Sequence, residues 1–147
     1  MMEQEILMAP DISSQRYRTL VLASGQIVLT MDREGRTLED SLEWRAYTGQ
    51  SWSEYKNLGW MNALHPEDRE NIVILWKRVS ETKNIFEIKV QIRSRGNDYR
   101  PFLIRMAPVF QNDGEIIEWV GMCRDIYEIK MTESLLKEKE LALKEVR

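Results

Sequence analysis

Residues 84–125, NIFEIKVQIRSRGNDYRPFLIRMAPVFQNDGEIIEWVGMCRD, decide how the rest of the chain is read. Phe86, Ile88, Val90 and Ile92 alternate with Glu87, Lys89, Gln91 and Arg93. That period of two puts apolar side chains on one face of a strand and charges on the other. Ser94-Arg95-Gly96-Asn97-Asp98 supplies turn residues, and Gly96 and Asn97 tolerate positive φ. A second run, Tyr99 to Phe110, sets Phe102, Ile104 and Met106 on one face against Leu103, Arg105 and Ala107. Asn112-Asp113-Gly114 turns the chain again, and Ile116 to Ile126 reads as a third strand. Three consecutive antiparallel strands are therefore expected as the scaffold.

Upstream of the scaffold, His65-Pro66-Glu67-Asp68 opens one long helix. Proline suits the first helical position, and the two carboxylates sit at the positive end of the helix dipole. Ile72, Leu75, Trp76 and Val79 follow at i, i+3, i+4 and i+7, which predicts one buried stripe. Leu42 to Gly59 is short-ranged and aromatic, broken by Gly49 and Gly59, and reads as two or three brief helical turns over a sheet face. Trp44, Tyr47, Trp52, Tyr55 and Trp60 cluster there and are first of all core filler. Nearer the N-terminus, Ile27, Leu29 and Met31 form a first strand, Asp32-Arg33-Glu34-Gly35 a hairpin turn, and Arg36 to Asp40 a short second strand. A helix capped by Ser13 or Ser14 carries Tyr17, Leu20 and Val21 and ends at Gly25. Residues 1–14 read as a leader or upstream linker.

Downstream, residues 127–147 contain no Gly or Pro and read as an exit helix. Ile129, Leu136 and Leu143 repeat every seven residues, but Thr132 and Lys139 occupy the alternate seam positions. This is the pattern of a short, weak coiled coil, so a homodimer through this helix is expected. A solvated helix docked on its own domain is the alternative.

The totals bound the function. The chain has 147 residues, 43% hydrophobic and 31% charged, which suits one folded domain. A net charge of −3 offers no electrostatic reason for nucleic acid or an anionic membrane as partner. One cysteine and one histidine exclude an internal disulfide and a Cys/His zinc cage. The longest apolar run, Ile72 to Trp76, is too short to cross a bilayer, and no signal peptide is evident, so a cytoplasmic location is expected. No Ser/His/Asp set, phosphate loop or metal-ligand spacing is present, and Glu39-Asp40 and Glu67-Asp68 are neighbours whose side chains diverge. The chain is not expected to be an enzyme in itself.

The order of elements, β-β-α-α-α-β-β-β, resembles a PAS domain, and local motifs agree. Asp32-Arg33-Glu34-Gly35-Arg36 is similar to the family's D-x-x-G-x hairpin, and Tyr47-Thr48-Gly49-Gln50-Ser51 to its y-T-G-x-S element. Gly59-Trp60 with His65-Pro66-Glu67-Asp68-Arg69 resembles the G-W…H-P-D-D-R signature of a bacterial signalling subfamily. Tyr99-Arg100, Ala107-Pro108-Val109 and Trp119-Val120-Gly121 resemble the later strands, and Asp125-Ile126 the closing D-I-T. Two positions depart: Glu39-Asp40-Ser41 replaces an Asn-Pro or Asn-Arg step, and Tyr127 replaces threonine. The resemblance covers residues 15–126. It implies an α+β fold with a five-stranded antiparallel sheet, short helices over one face, one long connecting helix and a C-terminal exit helix.

The resemblance further implies a pocket beneath the small helices. Its expected lining is Trp44, Ile88, Val90, Phe102, Ile104, Met106, Trp119 and Cys123, almost wholly apolar. A flavin needs amide partners at its polar edge, and light-sensing relatives carry a cysteine on the small-helix segment. Cys123 instead lies on the last strand, so no flavin adduct is expected. His65 is read as fixing the start of the long helix, through Asp68 or a carbonyl, rather than as a haem ligand. No cofactor or metal is expected. A filled core and a site for a small, mostly apolar ligand both remain open. Asp125, Ile126 and Tyr127 are read as the relay from sheet to exit helix, and Ile129, Leu136 and Leu143 as the dimer seam. The function implied is a sensor or relay module of a longer signalling protein, of histidine kinase or diguanylate cyclase type, with a downstream output domain as partner. A ligand-free dimerisation spacer is the alternative, and a haem- or flavin-binding sensor a further one.

Overall fold

The computed structural model describes residues 12–146; of the leader expected over residues 1–14, residues 1–11 lie outside the described residues and 12–14 belong to the first helix. Helix α1 (Ile12–Ser24) precedes strand β1 (Ile27–Met31). Three short elements follow: α2 (Leu42–Thr48), α3 (Trp52–Tyr55) and a 3-10 turn (Gly59–Ala63). Helix α4 (Pro66–Val79), strands β2 (Phe86–Arg93), β3 (Tyr99–Phe110) and β4 (Ile116–Asp125), and helix α5 (Tyr127–Val146) complete the chain. Among the described residues no helix is long and apolar enough to cross a membrane.

The sheet is antiparallel, in the order β1-β4-β3-β2. Residues 84–125 thus form three neighbouring strands, with β1 added at the β4 edge. The sheet has four strands rather than five. Thr37 makes an isolated bridge to Met31, flanked by the Asp32 N–H on the Arg36 carbonyl and the Leu38 N–H on the Thr30 carbonyl, both at 2.8 Å. Its own N–H donates to the Asn57 carbonyl at 2.9 Å and its hydroxyl to the Tyr55 carbonyl at 3.2 Å. Beyond it, Asp40 accepts from the Tyr55 hydroxyl and pairs with Arg45 at 2.9 Å. Pairing with β1 stops after Leu38: the Ser41 N–H donates to the Tyr55 hydroxyl, and the chain turns into the small-helix segment before a ladder extends.

The short elements are held by local caps. Ser41 Oγ accepts the Trp44 N–H at 3.2 Å, and Ser51 with Glu54 forms a reciprocal capping box at the start of α3. Gly49 ends α2 at φ 77°, a conformation glycine takes without a Cβ clash. His65 starts α4 by accepting the Glu67 N–H on Nδ1 at 3.3 Å. The Asp68 carboxylate takes a different partner, the Gln91 N–H at 2.7 Å, which ties the helix start to the edge of β2. Of the expected α4 stripe, Ile72 is buried, whereas Leu75, Trp76 and Val79 are half-buried.

One core fills the space between the inner sheet face and the helical layer. Leu29, Met31, Ile92, Phe102, Trp119 and Cys123 contribute from the sheet, Trp44, Tyr55 and Trp60 from above. By contrast, α1 has no buried residue, and the side chains of α5 described from Tyr127 onward are all exposed. The two flanking helices project apolar surface: Leu20 and Leu22 of α1 are 70% and 71% exposed, and Leu136 and Leu143 of α5 are 55% and 67%.

Candidate functional site

Alternation along β2, β3 and β4 aims Ile88, Ile104, Met106 and Cys123 into a cavity of about 20 Å³. Leu29 and Met31 of β1 join them, and α4 and the 3-10 turn close the cavity with Ile72, Leu75, Trp76 and Trp60. The volume is that of about one water molecule, and an apolar lining gives a water no partners. Four of the eight residues expected to line the pocket do so. The other four are buried elsewhere. Trp44 packs on Tyr55 with its indole N–H on Gln50 Oε1 at 2.9 Å, and Phe102 lies under the Tyr47 ring. Trp119 stacks edge-on with Trp76 and Phe86, both at 5.6 Å, and Val90 belongs to the general core. The helical half of the lining had a sequence signal, the Ile72–Leu75–Trp76 stripe, but periodicity does not say which cavity a stripe covers.

Two indoles fasten the roof to the hairpin after β1. Trp60 Nε1 donates to the Gly35 carbonyl at 2.8 Å, and Trp76 Nε1 to the Arg33 carbonyl at 2.9 Å. The hairpin itself is closed by Asp32, whose carboxylate accepts from the Glu34 and Arg36 backbone N–H groups, each at 2.9 Å, and pairs with the Arg36 guanidinium. Burial pushes the Cys123 thiol up to about 12, so it sits in the core as a neutral, apolar side chain. The His65 imidazole is outside the cavity lining and packs edge-on against Tyr99 at 5.1 Å.

At the far end of the inner face, β4 passes directly into α5. Asp125 Oδ1 accepts the Tyr127 N–H at 2.9 Å, and its second oxygen lies 3.6 Å from Arg100 Nη1 on β3. The Arg100 guanidinium in turn lies over the Tyr127 ring, 4.8 Å from its centroid. Ile126, at the junction, is 8% exposed, and its N–H donates to the Pro101 carbonyl at 3.0 Å. Asp125, Ile126 and Tyr127 thus meet in one small cluster with Arg100. Tyr47 of α2 borders it: burial, and next the Asp125 charge, push its phenol up to about 12. Its position follows from the ring contact with Phe102, the register partner of Asp125.

Comparison with known proteins identifies the fold. The family described as PAS fold matches residues 41–123, more than half of the chain, and the chain belongs to that family. The peroxide stress-activated histidine kinase mak1 of Schizosaccharomyces pombe is 28% identical over 134 residues, covering 85% of this chain. The chain spans only 8% of that kinase and 16% of a second curated relative. Among solved structures, a sensory box histidine kinase/response regulator from Burkholderia thailandensis superposes with TM-score 0.63 at 19% identity, covering 88% of this chain and 98% of that one. The N-terminal domain of a diguanylate cyclase with PAS/PAC sensor from Marinobacter aquaeolei gives 0.62 at 20%, covering 71% and 98%.

Proposed function

We propose that this PAS domain is a non-catalytic sensor or relay module of a longer signalling protein. Its output partner is a histidine kinase or diguanylate cyclase region, its working state a homodimer in the cytoplasm. Gly59-Trp60 and His65-Pro66-Glu67-Asp68-Arg69 favour the bacterial signalling subfamily. The observation that carries the reading is the junction: a buried Ile126 is the single residue between β4 and a 20-residue helix that exposes its apolar side chains. A shift of β4 around Trp119 to Asp125 re-aims α5, and Ile129, Leu136 and Leu143 hand the change to a partner helix. A bias of a few kcal/mol between two helix arrangements is enough to switch such a system. The near-filled apolar cavity fits a relay driven by a partner or a very small apolar ligand better than one built around a large cofactor.

The test fuses the chain, at Arg147, to a histidine kinase catalytic region and measures autophosphorylation. Asp125→Ala and Ile126→Ala are expected to lock output high or low while the fused kinase still dimerises. Output identical to wild type in both variants would sink the relay, and leave the spacer role as the better account.

A further inference from the structure

The outer side of the cavity roof carries a second depression. A groove of about 310 Å³ runs between the Asp32–Arg36 hairpin and α4. It shares Trp60, Ile72 and Trp76 with the core cavity, three of the four side chains that close that cavity from above. Leu58 and Val73, 49% and 47% exposed, form its walls with Met61, and the apolar surface continues past Val73 onto Ile74. Arg33 and Lys77 belong to the groove lining as well, Lys77 one helical turn (about 6 Å) beyond Val73. Neither cation takes part in an ion pair among the described residues. The lining's one carboxylate, Glu34, is paired with Arg36 at 3.2 Å.

A largely apolar groove that two cations outside any ion pair also line complements a molecule with an apolar body and an anionic head. We propose that this groove is a binding site for medium-chain alkyl carboxylates, with the head between Arg33 and Lys77 and the tail along Val73 and Met61. The site is distinct from the core cavity, on the opposite side of the Trp60–Trp76 wall. An occupant would press on the outer face of Trp76, whose ring meets Trp119 of β4 at 5.6 Å. The groove is thereby an input to the strand that leads to α5. Binding itself stands on groove chemistry alone, so it holds or fails independently of the kinase-fusion experiment.

The experiment titrates decanoate into the 147-residue chain and follows the Trp60 and Trp76 indole N–H resonances. The expected result is a saturable shift of both signals. The double variant Arg33→Glu/Lys77→Glu, made at exposed positions and checked by thermal melting, should weaken binding by about tenfold or more. Decyltrimethylammonium should bind wild type more weakly than decanoate and the double variant more strongly. No saturable shift, or equal decanoate affinity in wild type and double variant, would overturn the assignment. So would binding confined to an acidic amphipathic peptide or to anionic vesicles, which would make the groove a protein or membrane contact.

Discussion

Gly59 shows how one residue can carry two requirements. Read in the sequence it breaks the aromatic segment, but its backbone φ is not in the left-handed region. What requires glycine is proximity: a Cβ there would stand 2.0 Å from the Glu54 carbonyl oxygen, a rigid backbone atom. Gly59→Ala must push α3 away from the 3-10 turn that carries Trp60, with an expected loss of about 1–3 kcal/mol, read as a lower urea midpoint at unchanged slope. A midpoint equal to wild type would mean that the two turns separate without cost. Cys123 makes the opposite point. Its position on the inner face of β4 is legible from alternation, and its chemistry follows from burial alone. With the thiol held near 12, the thiolate fraction at pH 8 is negligible. Native chain should therefore resist a thiol-specific disulfide reagent and react only as fast as it unfolds. Rapid labelling in buffer without denaturant would reopen a redox role for this side chain.

Elements were legible where periodicity and turn chemistry agree. The three strands of residues 84–125 follow their alternation, and α4 its proline and apolar stripe. The strand expected at Arg36–Asp40 is cut to a single bridge at Thr37, with Leu38 still bonded to Thr30, because beyond it Asp40 and Ser41 bond to Tyr55, a partner about fifteen positions away that no local pattern reveals. The roof of the cavity was likewise beyond reach, since the sequence places Trp60 and Trp76 in helical turns without saying that both indoles reach back to the hairpin. The junction before α5 combines both cases. Asp125 is legible as the end of the last strand, but its two partners, the Tyr127 N–H and the Arg100 guanidinium, are not. Removing it in Asp125→Ala takes the capping acceptor from Tyr127 and the anion from Arg100. Loss of a helix cap of this kind costs about 0.5–2 kcal/mol. The effect should be local: amide exchange at residues 127–130 rises while that of β3 and β4 is unchanged. Uniformly faster exchange through the sheet would mean that Asp125 supports the fold rather than the hinge.

At the scale of the whole molecule, α1 and α5 bury almost nothing against their own sheet, yet they carry Leu20, Leu22, Leu136 and Leu143 in the open. Such surface is covered most simply by a second copy. The α5 seam is mixed, with Ile129, Leu136 and Leu143 apolar and Thr132 and Lys139 polar, so a dimer held by it should be weak and tunable in both directions. Lys139→Leu fills a polar seam position and should tighten association. Leu136→Glu puts a charge at the centre of the seam and should loosen it, raising the dissociation constant by about a hundredfold. Both positions are exposed within one chain, so neither change should alter the melting of dilute monomer. Sedimentation equilibrium over a concentration series reads all three proteins. If the Lys139→Leu and Leu136→Glu variants associate no differently from wild type, dimerisation does not run through α5, and the β4–α5 junction has no partner helix to turn.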